Sequence, residues 1–251
     1  MCRLLLAFGK VDIPLVLYSA ARMADGATAQ HDGPIVQHPN GWGAAWMHPK
    51  SKEWVIHREP QSILESLDLM QPISYDINFL AVHTRHATLI QNQGMPFTHP
   101  LQRFGGIDSW YLMHNGFLPS IAEECFKKPS VFDSREYLEF LVPSKTERLD
   151  TTAVLQRLNQ VNHSRGTSGN SFIFNKNYFY IIHWSTPMKP YPKYFKLQYA
   201  NSDGATYVSS EIIPDLVAVK EWKEIPLSTI TEINLNDPQL FRSREYKGKS
   251  K

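Results

Sequence analysis

Apolar and polar positions along the chain mark out strands and helices. Leu4 to Gly9 is an apolar run, short enough for a strand buried on both faces. Pro14 to Asp25 has apolar residues at helical spacing. Gln61 to Met70 does too, with Ile63, Leu64, Leu67 and Met70 on one face. Between them, His38-Pro39-Asn40-Gly41-Trp42-Gly43 is turn chemistry leading into a strand at Ala44 to Met47. Its Asn-Gly pair is a hairpin signal, and Trp54 to His57 is the expected partner strand. Phe79 to Thr84 and Trp110 to Met113 predict strands that end at polar clusters. Helices are expected over Ile121 to Lys128, Ser134 to Leu141 and Thr152 to Asn162, the last with Val154, Leu155, Leu158 and Val161 aligned. Ser171 to Phe174 and Tyr178 to Trp184 flank Asn175-Lys176-Asn177 as a hairpin, and strands follow at Ala205 to Ser210 and Thr229 to Leu235. Strands at both ends with helices clustered between them predict an α+β fold with a two-sheet core covered by helices.

Composition bounds this picture. With 251 residues, 42% of them hydrophobic, the chain can bury a sizeable core, and with no repeat or low-complexity linker residues 1–251 read as one domain. The net charge is +2, yet residues 242–251 alone carry five basic side chains against Glu245, so the body is slightly acidic. That tail reads as a frayed, solvated end. The body has no basic stripe interleaved with aromatics, so nucleic acid is not an implied partner. The two cysteines, Cys2 and Cys125, are too few for a disulfide framework and form no metal or redox spacing, which fits a reducing cytoplasm. Leu4 to Phe8 after Arg3 hints at a signal peptide, but Lys10 and Asp12 cut the run short. No stretch approaches the roughly 20 apolar residues of a membrane span.

The candidate chemistry is spread along the chain. Cys2 follows a methionine that is usually trimmed before a small side chain. Trimming exposes an α-amine that titrates near roughly 7.7–8.0 and can act as base for its own thiol. Ala81-Val82-His83-Thr84-Arg85-His86-Ala87-Thr88 sets a guanidinium at a strand end, suited to gripping a carboxylate. His83 and His86 have no partner at metal-motif spacing, so no metal is expected. In Tyr111-Leu112-Met113-His114-Asn115-Gly116 the Asn-Gly pair reads as a turn. It also reads as an oxyanion hole, in which an amide side chain and the next backbone N–H converge on one oxygen. Phe132-Asp133-Ser134-Arg135-Glu136 opens a helix, with Asp133 and Glu136 spaced as a capping box; Asp133 can also face a substrate ammonium.

The order of these pieces resembles the glutaminase domain of class II glutamine amidotransferases. His38 to Gly43, Thr98-His99-Pro100-Leu101 and Val208-Ser209-Ser210-Glu211 are similar to the stand-alone branch of that family, which includes γ-glutamyl hydrolases of glutathione degradation and ergothioneine synthesis. The resemblance runs from Cys2 to about Ile213. It implies a four-layer αββα sandwich of the N-terminal-nucleophile hydrolase type. It implies Cys2 as nucleophile, Asn115 and Gly116 as the oxyanion hole, Arg85 on the substrate α-carboxylate and Asp133 on its α-ammonium. Thr88 and the backbone near His86 would line the glutamyl pocket, and no cofactor is needed. Asn40 departs from the Asp usual in this branch, and Arg135 stands where an acid is commoner. The segments 40–46 and 91–101 are the candidates for reading what lies beyond the γ-carbonyl.

The expected reaction is hydrolysis of the γ-glutamyl amide of glutamine or a γ-glutamyl compound through a Cys2 thioester. Three rivals stand beside it. One is a glutaminase subunit supplying ammonia to a separate synthase, and a synthase or peptidase subunit is a possible partner. Another is a catalytically silent regulatory protein on the same fold. The third is a papain-like hydrolase built on Cys125, disfavoured because Glu123 and Glu124 oppose its ionisation.

Overall fold

The computed structural model describes residues 2–31, 33–161, 168–186 and 193–237. Its strands are β1 (Cys2–Gly9), β2 (Trp42–Met47), β3 (Trp54–Glu59), β4 (Phe79–Arg85), β5 (Leu101–Phe104) and β6 (Ser109–Phe117). They continue as β7 (Ser168–Phe174), β8 (Tyr178–His183), β9 (Gln198–Ser202), β10 (Ala205–Ser209), β11 (Lys223–Glu224) and β12 (Thr229–Asn234). The helices are α1 (Ile13–Asp25), α2 (Ile63–Ser66), α3 (Ser120–Cys125), α4 (Asp133–Leu141) and α5 (Thr151–Gln160). The strands form a seven-stranded sheet, β11-β9-β10-β1-β4-β2-β3, and a five-stranded sheet, β12-β8-β7-β6-β5.

Strand alternation explains the layers. In β1, Leu4, Leu6 and Phe8 point into the gap between the sheets, where they meet Met113, Phe172 and Phe174. Leu5 and Ala7 point the other way, against Val16, Ala20 and Met23 of α1. The outer face of the second sheet packs Leu112, Ile173 and Tyr180 on Leu138, Leu141 and Leu158 of α4 and α5. The result is the αββα sandwich. Because β1 is covered on both faces, it reads as a continuous apolar run and not as an alternation.

Several local expectations are corrected. Asn40-Gly41 does not join two neighbouring strands. It leads into β2 beside Arg85, and the β2–β3 hairpin turns later, at residues 48–53. The strand expected to stop at Met113 continues to Phe117, so His114-Asn115-Gly116 pairs with β7 instead of turning. The helix expected over Gln61 to Met70 is only α2 followed by a 3-10 turn at Leu67–Leu69, and Leu64 is exposed. No capping box forms at α4: Phe132 is the N-cap, and Glu136 accepts from Ser130 Oγ and Val131 N instead. The edge strands β5 and β11, and β9 between β11 and β10, were not foreseen; all are short and little buried, so they carry little hydrophobic signal. Asn162 and the basic tail at 242–251 lie outside the described residues.

Candidate active site

The site lies at one end of the gap between the sheets. Cys2, the first residue of β1, pairs with Arg85, the last residue of β4. By alternation its side chain shares the inner face with Leu4. From the opposite sheet, Asn115 of β6 reaches across: its Oδ1 accepts from Cys2 N at 3.2 Å. That bond fixes the amide orientation and leaves Nδ2 buried without a hydrogen-bond partner. A buried, unpaired donor beside a thiol is costly to keep unless something else comes to accept from it.

Gly116 follows, and its glycine is required by space. A Cβ there would sit 1.8 Å from Ser168 O and 2.5 Å from His114 Nε2. His114 is itself locked. Its Nε2 donates to Ser168 O at 3.0 Å, so Nδ1 accepts from Ser134 Oγ at 2.9 Å. Burial lowers its pKa, opposed by Asp133, and the ring is neutral.

Arg85 is held at both backbone and side chain. Its N–H donates to Gly41 O and its carbonyl accepts from Asn40 N. Its Nη2 donates to Asn92 O at 2.6 Å and Nη1 to Asn40 O at 3.5 Å. Asn40 Oδ1 accepts from Ala87 N at 2.9 Å, a task for any side-chain acceptor, so Asn serves where Asp is commoner. Asp133 Oδ2 accepts from Leu118 N at 2.9 Å, which turns the carboxylate away from capping its own helix. Arg135 donates to Gln102 O on β5 and points out of the site.

The electrostatics favour a thiolate. Burial alone would raise the Cys2 pKa. The charge and hydrogen bonding of His83, the chain's amino terminus and Arg85 outweigh it and bring the thiol down to about 6. His83 Nε2 donates to His114 O at 3.1 Å, and its ring lies 4.3 Å from that of His99. His99 is fully enclosed; burial, then His83 and Arg85, hold it well below the usual histidine range, so it is neutral. His86 Nδ1 faces Gln37 O instead, so His83 and His86 do not converge on a common point.

A narrow cleft with a cavity volume of about 30 Å³ joins these groups. Cys2, Arg85, His86, Thr88, Gly116 and Asp133 all line it, and Asn115 enters through its bond to Cys2. The sequence assigned no individual role to His99, His114 and Asn92 on its walls, nor to the apolar Leu89, Phe117 and Phe132. Asn92 anchors Arg85 through a backbone carbonyl, which no residue type announces. Of the two segments expected to read the leaving group, 91–101 contributes Asn92 and His99. The other, 40–46, is mostly buried strand, with Trp42 and Trp46 in the core under α1.

A family model for class II glutamine amidotransferases matches residues 1–134, and the chain belongs to that family. The family's chemistry is hydrolysis of the glutamine side-chain amide by a cysteine. No curated protein matches in sequence. Among solved structures, the chain is similar to an allosteric regulatory enzyme of purine biosynthesis, at 17% identity and TM-score 0.64 over 93% of this chain and 47% of that one. It is similar to the glutamine phosphoribosylpyrophosphate amidotransferase of B. subtilis, solved with ADP and GMP, at 16% identity and TM-score 0.63 over 93% and 47%. It therefore spans about half the length of these two enzymes. A class-II domain protein from Silicibacter pomeroyi matches at 14% identity and TM-score 0.54 over 93% of this chain and 95% of that one. At these identities the likeness shows the fold alone, the two-sheet αββα sandwich. Among the described residues, no helix is long and apolar enough to cross a membrane.

Proposed function

We propose that the chain hydrolyses the γ-glutamyl amide of a γ-glutamyl compound, with Cys2 as nucleophile once Met1 is removed. The observation that carries this reading is Asn115: its Oδ1 holds the Cys2 nitrogen while its buried Nδ2 has no partner. The freed α-amine takes the thiol proton, and the thiolate attacks the γ-carbonyl. Asn115 Nδ2 and Gly116 N–H receive the oxyanion, each donor typically contributing roughly 2.7–4 kcal/mol. The proton passes to the leaving amine, and water hydrolyses the thioester to release glutamate. Arg85 grips the α-carboxylate, Asp133 the α-ammonium, and Thr88 and His86 flank the glutamyl chain. A free thiol of this acidity suits a reducing cytoplasm.

Hydrolysis of γ-glutamyl compounds, without transfer of ammonia to a partner synthase, is the finer part of the reading. It is supported by the apolar side chains of Leu89, Phe117 and Phe132, which line the cleft beside the nucleophile. The test compares glutamine, γ-glutamylcysteine and glutathione with the isolated protein. Cleavage of a bulky compound at least as efficient as that of glutamine is expected. No turnover of any of them alone, with glutamine use restored by one co-purifying synthase, would establish the ammonia-donor role instead.

A further inference from the structure

The Val208-Ser209-Ser210-Glu211 segment has no part in the pocket, yet it reaches the nucleophile from behind. Ser210 Oγ accepts from Leu4 N at 3.0 Å, tying β1 to the residue after β10. Glu211, buried, accepts from Arg3 Nε at 2.5 Å and from Thr28 Oγ1 at 2.6 Å. Arg3 points away from Cys2, toward the helical side of the sheet, and is fully enclosed. Its guanidinium lies over the Tyr194 ring, 4.9 Å from the centroid, and touches His31 Nε2. The remaining arm turns back: Arg3 Nη1 donates to Cys2 O at 3.0 Å.

We propose that Arg3 and Glu211 are positioning residues for the nucleophile, fixing the Cys2 carbonyl from one side of the sheet while Asn115 fixes its nitrogen from the other. The inference rests on the reading of Cys2 as nucleophile. A residue at a strand end frays readily, and one bond through its nitrogen leaves it free to swing; a second bond through its carbonyl removes that freedom. Stability alone is a poor reason for the cluster. A buried ion pair is often no better than an apolar pair of the same volume. Glu211 is nevertheless kept charged: burial would raise its pKa, but hydrogen bonds and charge from His31, Arg3 and Thr28 hold it below the ordinary value. The charged carboxylate aims the fork of Arg3, and a fork is what reaches Glu211 and the Cys2 carbonyl together.

The test uses the full chain and two variants. In the double variant Arg3→Met, Glu211→Leu both charges go and the volume stays. Arg3→Lys keeps the ion pair but loses the fork. For each, melting temperature, kcat, KM and the pH profile of Cys2 alkylation by iodoacetamide are measured. A mispositioned nucleophile predicts kcat lower by ~10- to 100-fold with KM within about 2-fold, since Arg85 and Asp133 still grip the substrate. It also predicts an alkylation midpoint displaced upward as the thiol leaves His83 and Arg85. Folded variants with native kcat and a native midpoint would overturn the proposal. If the double variant does not fold, Arg3→Lys decides by the same two readings. The alkylation profile needs no substrate, so it judges positioning even if γ-glutamyl turnover is absent from the unaltered protein, an outcome that counts against the proposed function and not against this one.

Discussion

Cys2 and Cys125 are both free, and burial pushes the pKa of each thiol upward. What differs is the sign of the charge around them. Cys2 sits at a strand end facing His83 and Arg85, which bring it down to about 6. Cys125 is exposed at the end of α3, where burial and Glu124 together outweigh Arg157 and Lys127. At neutral pH the more deeply buried thiol is therefore the ionised one. Reactivity here follows the neighbouring charges and not accessibility.

The largest predicted effect separates the two directly. Cys2→Ala should lower γ-glutamyl hydrolysis by ~10⁴-fold or more, while Cys125→Ala should stay within about 2-fold of the native rate. Steady-state rates of the two variants are the measurement. Substantial activity in the Cys2 variant would return Cys125 to candidacy.

The next effect tests the group that holds Cys2. Asn115→Ala should lower kcat by ~10²- to 10³-fold with little change in KM if, as proposed, its Nδ2 bond forms with the transition-state oxygen. Asn115→Asp keeps an acceptor for the Cys2 nitrogen but removes the donor. It should lose as much. A well-active Asp variant would show that the donor is not used and that Asn115 only anchors the strand.

The two Asn-Gly pairs show how far the sequence could be read. Both are turn signals. Asn40-Gly41 lies in a loop, and Gly41 has φ +110°, where glycine is favoured for conformation. Asn115-Gly116 lies inside β6, and its glycine is demanded by Ser168 O, a carbonyl far along the chain. Local propensity cannot tell these apart, because the second depends on a partner strand. The same limit left His99 and the carbonyl of Asn92 without roles although their segment, 91–101, was singled out, because they reach the site through loop geometry. What the sequence did reveal was the doubly buried β1, the amphipathic α1 and α5, and the spaced polar clusters at the ends of β4 and β6. Those features are written in side-chain type and period.

A smaller effect isolates the cause of the thiol's acidity. Of the influences that lower the Cys2 pKa, His83 is the largest. His83→Gln leaves burial opposed only by the amino terminus and Arg85, so the midpoint of Cys2 alkylation should rise toward the ordinary thiol value near ~8.5. The sign follows from ionisation: the thiolate that is dominant above about pH 6 in the native protein would then form only at higher pH. At pH 7 the alkylation rate should fall roughly 30-fold, the ratio of thiolate fractions at the two pKa values. Alkylation by iodoacetamide from pH 5 to 10, mapped by mass spectrometry, reports both cysteines in one experiment. An unmoved midpoint at Cys2 would assign the effect to Arg85 and the terminus.

The smallest predicted effect concerns Asn40, where a carboxylate is commoner in the branch this chain resembles. Its side-chain oxygen accepts from Ala87 N, and its backbone contacts Arg85 from both directions. Asn40→Asp preserves the acceptor, so the loop should hold its shape. The added negative charge, however, lies beside the guanidinium that favours the Cys2 thiolate. Part of Arg85's field is then neutralised before it reaches Cys2, and the alkylation midpoint should move up by a few tenths of a pH unit. The same neutralisation weakens the proposed grip of Arg85 on the α-carboxylate, so KM should rise by about 2-fold or less while kcat at alkaline pH, where the thiol is fully ionised, stays unchanged. Asn40→Ala separates shape from charge: it drops the Ala87 acceptor and adds no charge, so it should disturb KM with no upward displacement of the midpoint. If Asn40→Asp instead lowers the midpoint, the charge of Arg85 does not govern the thiol in the way the contrast with Cys125 requires.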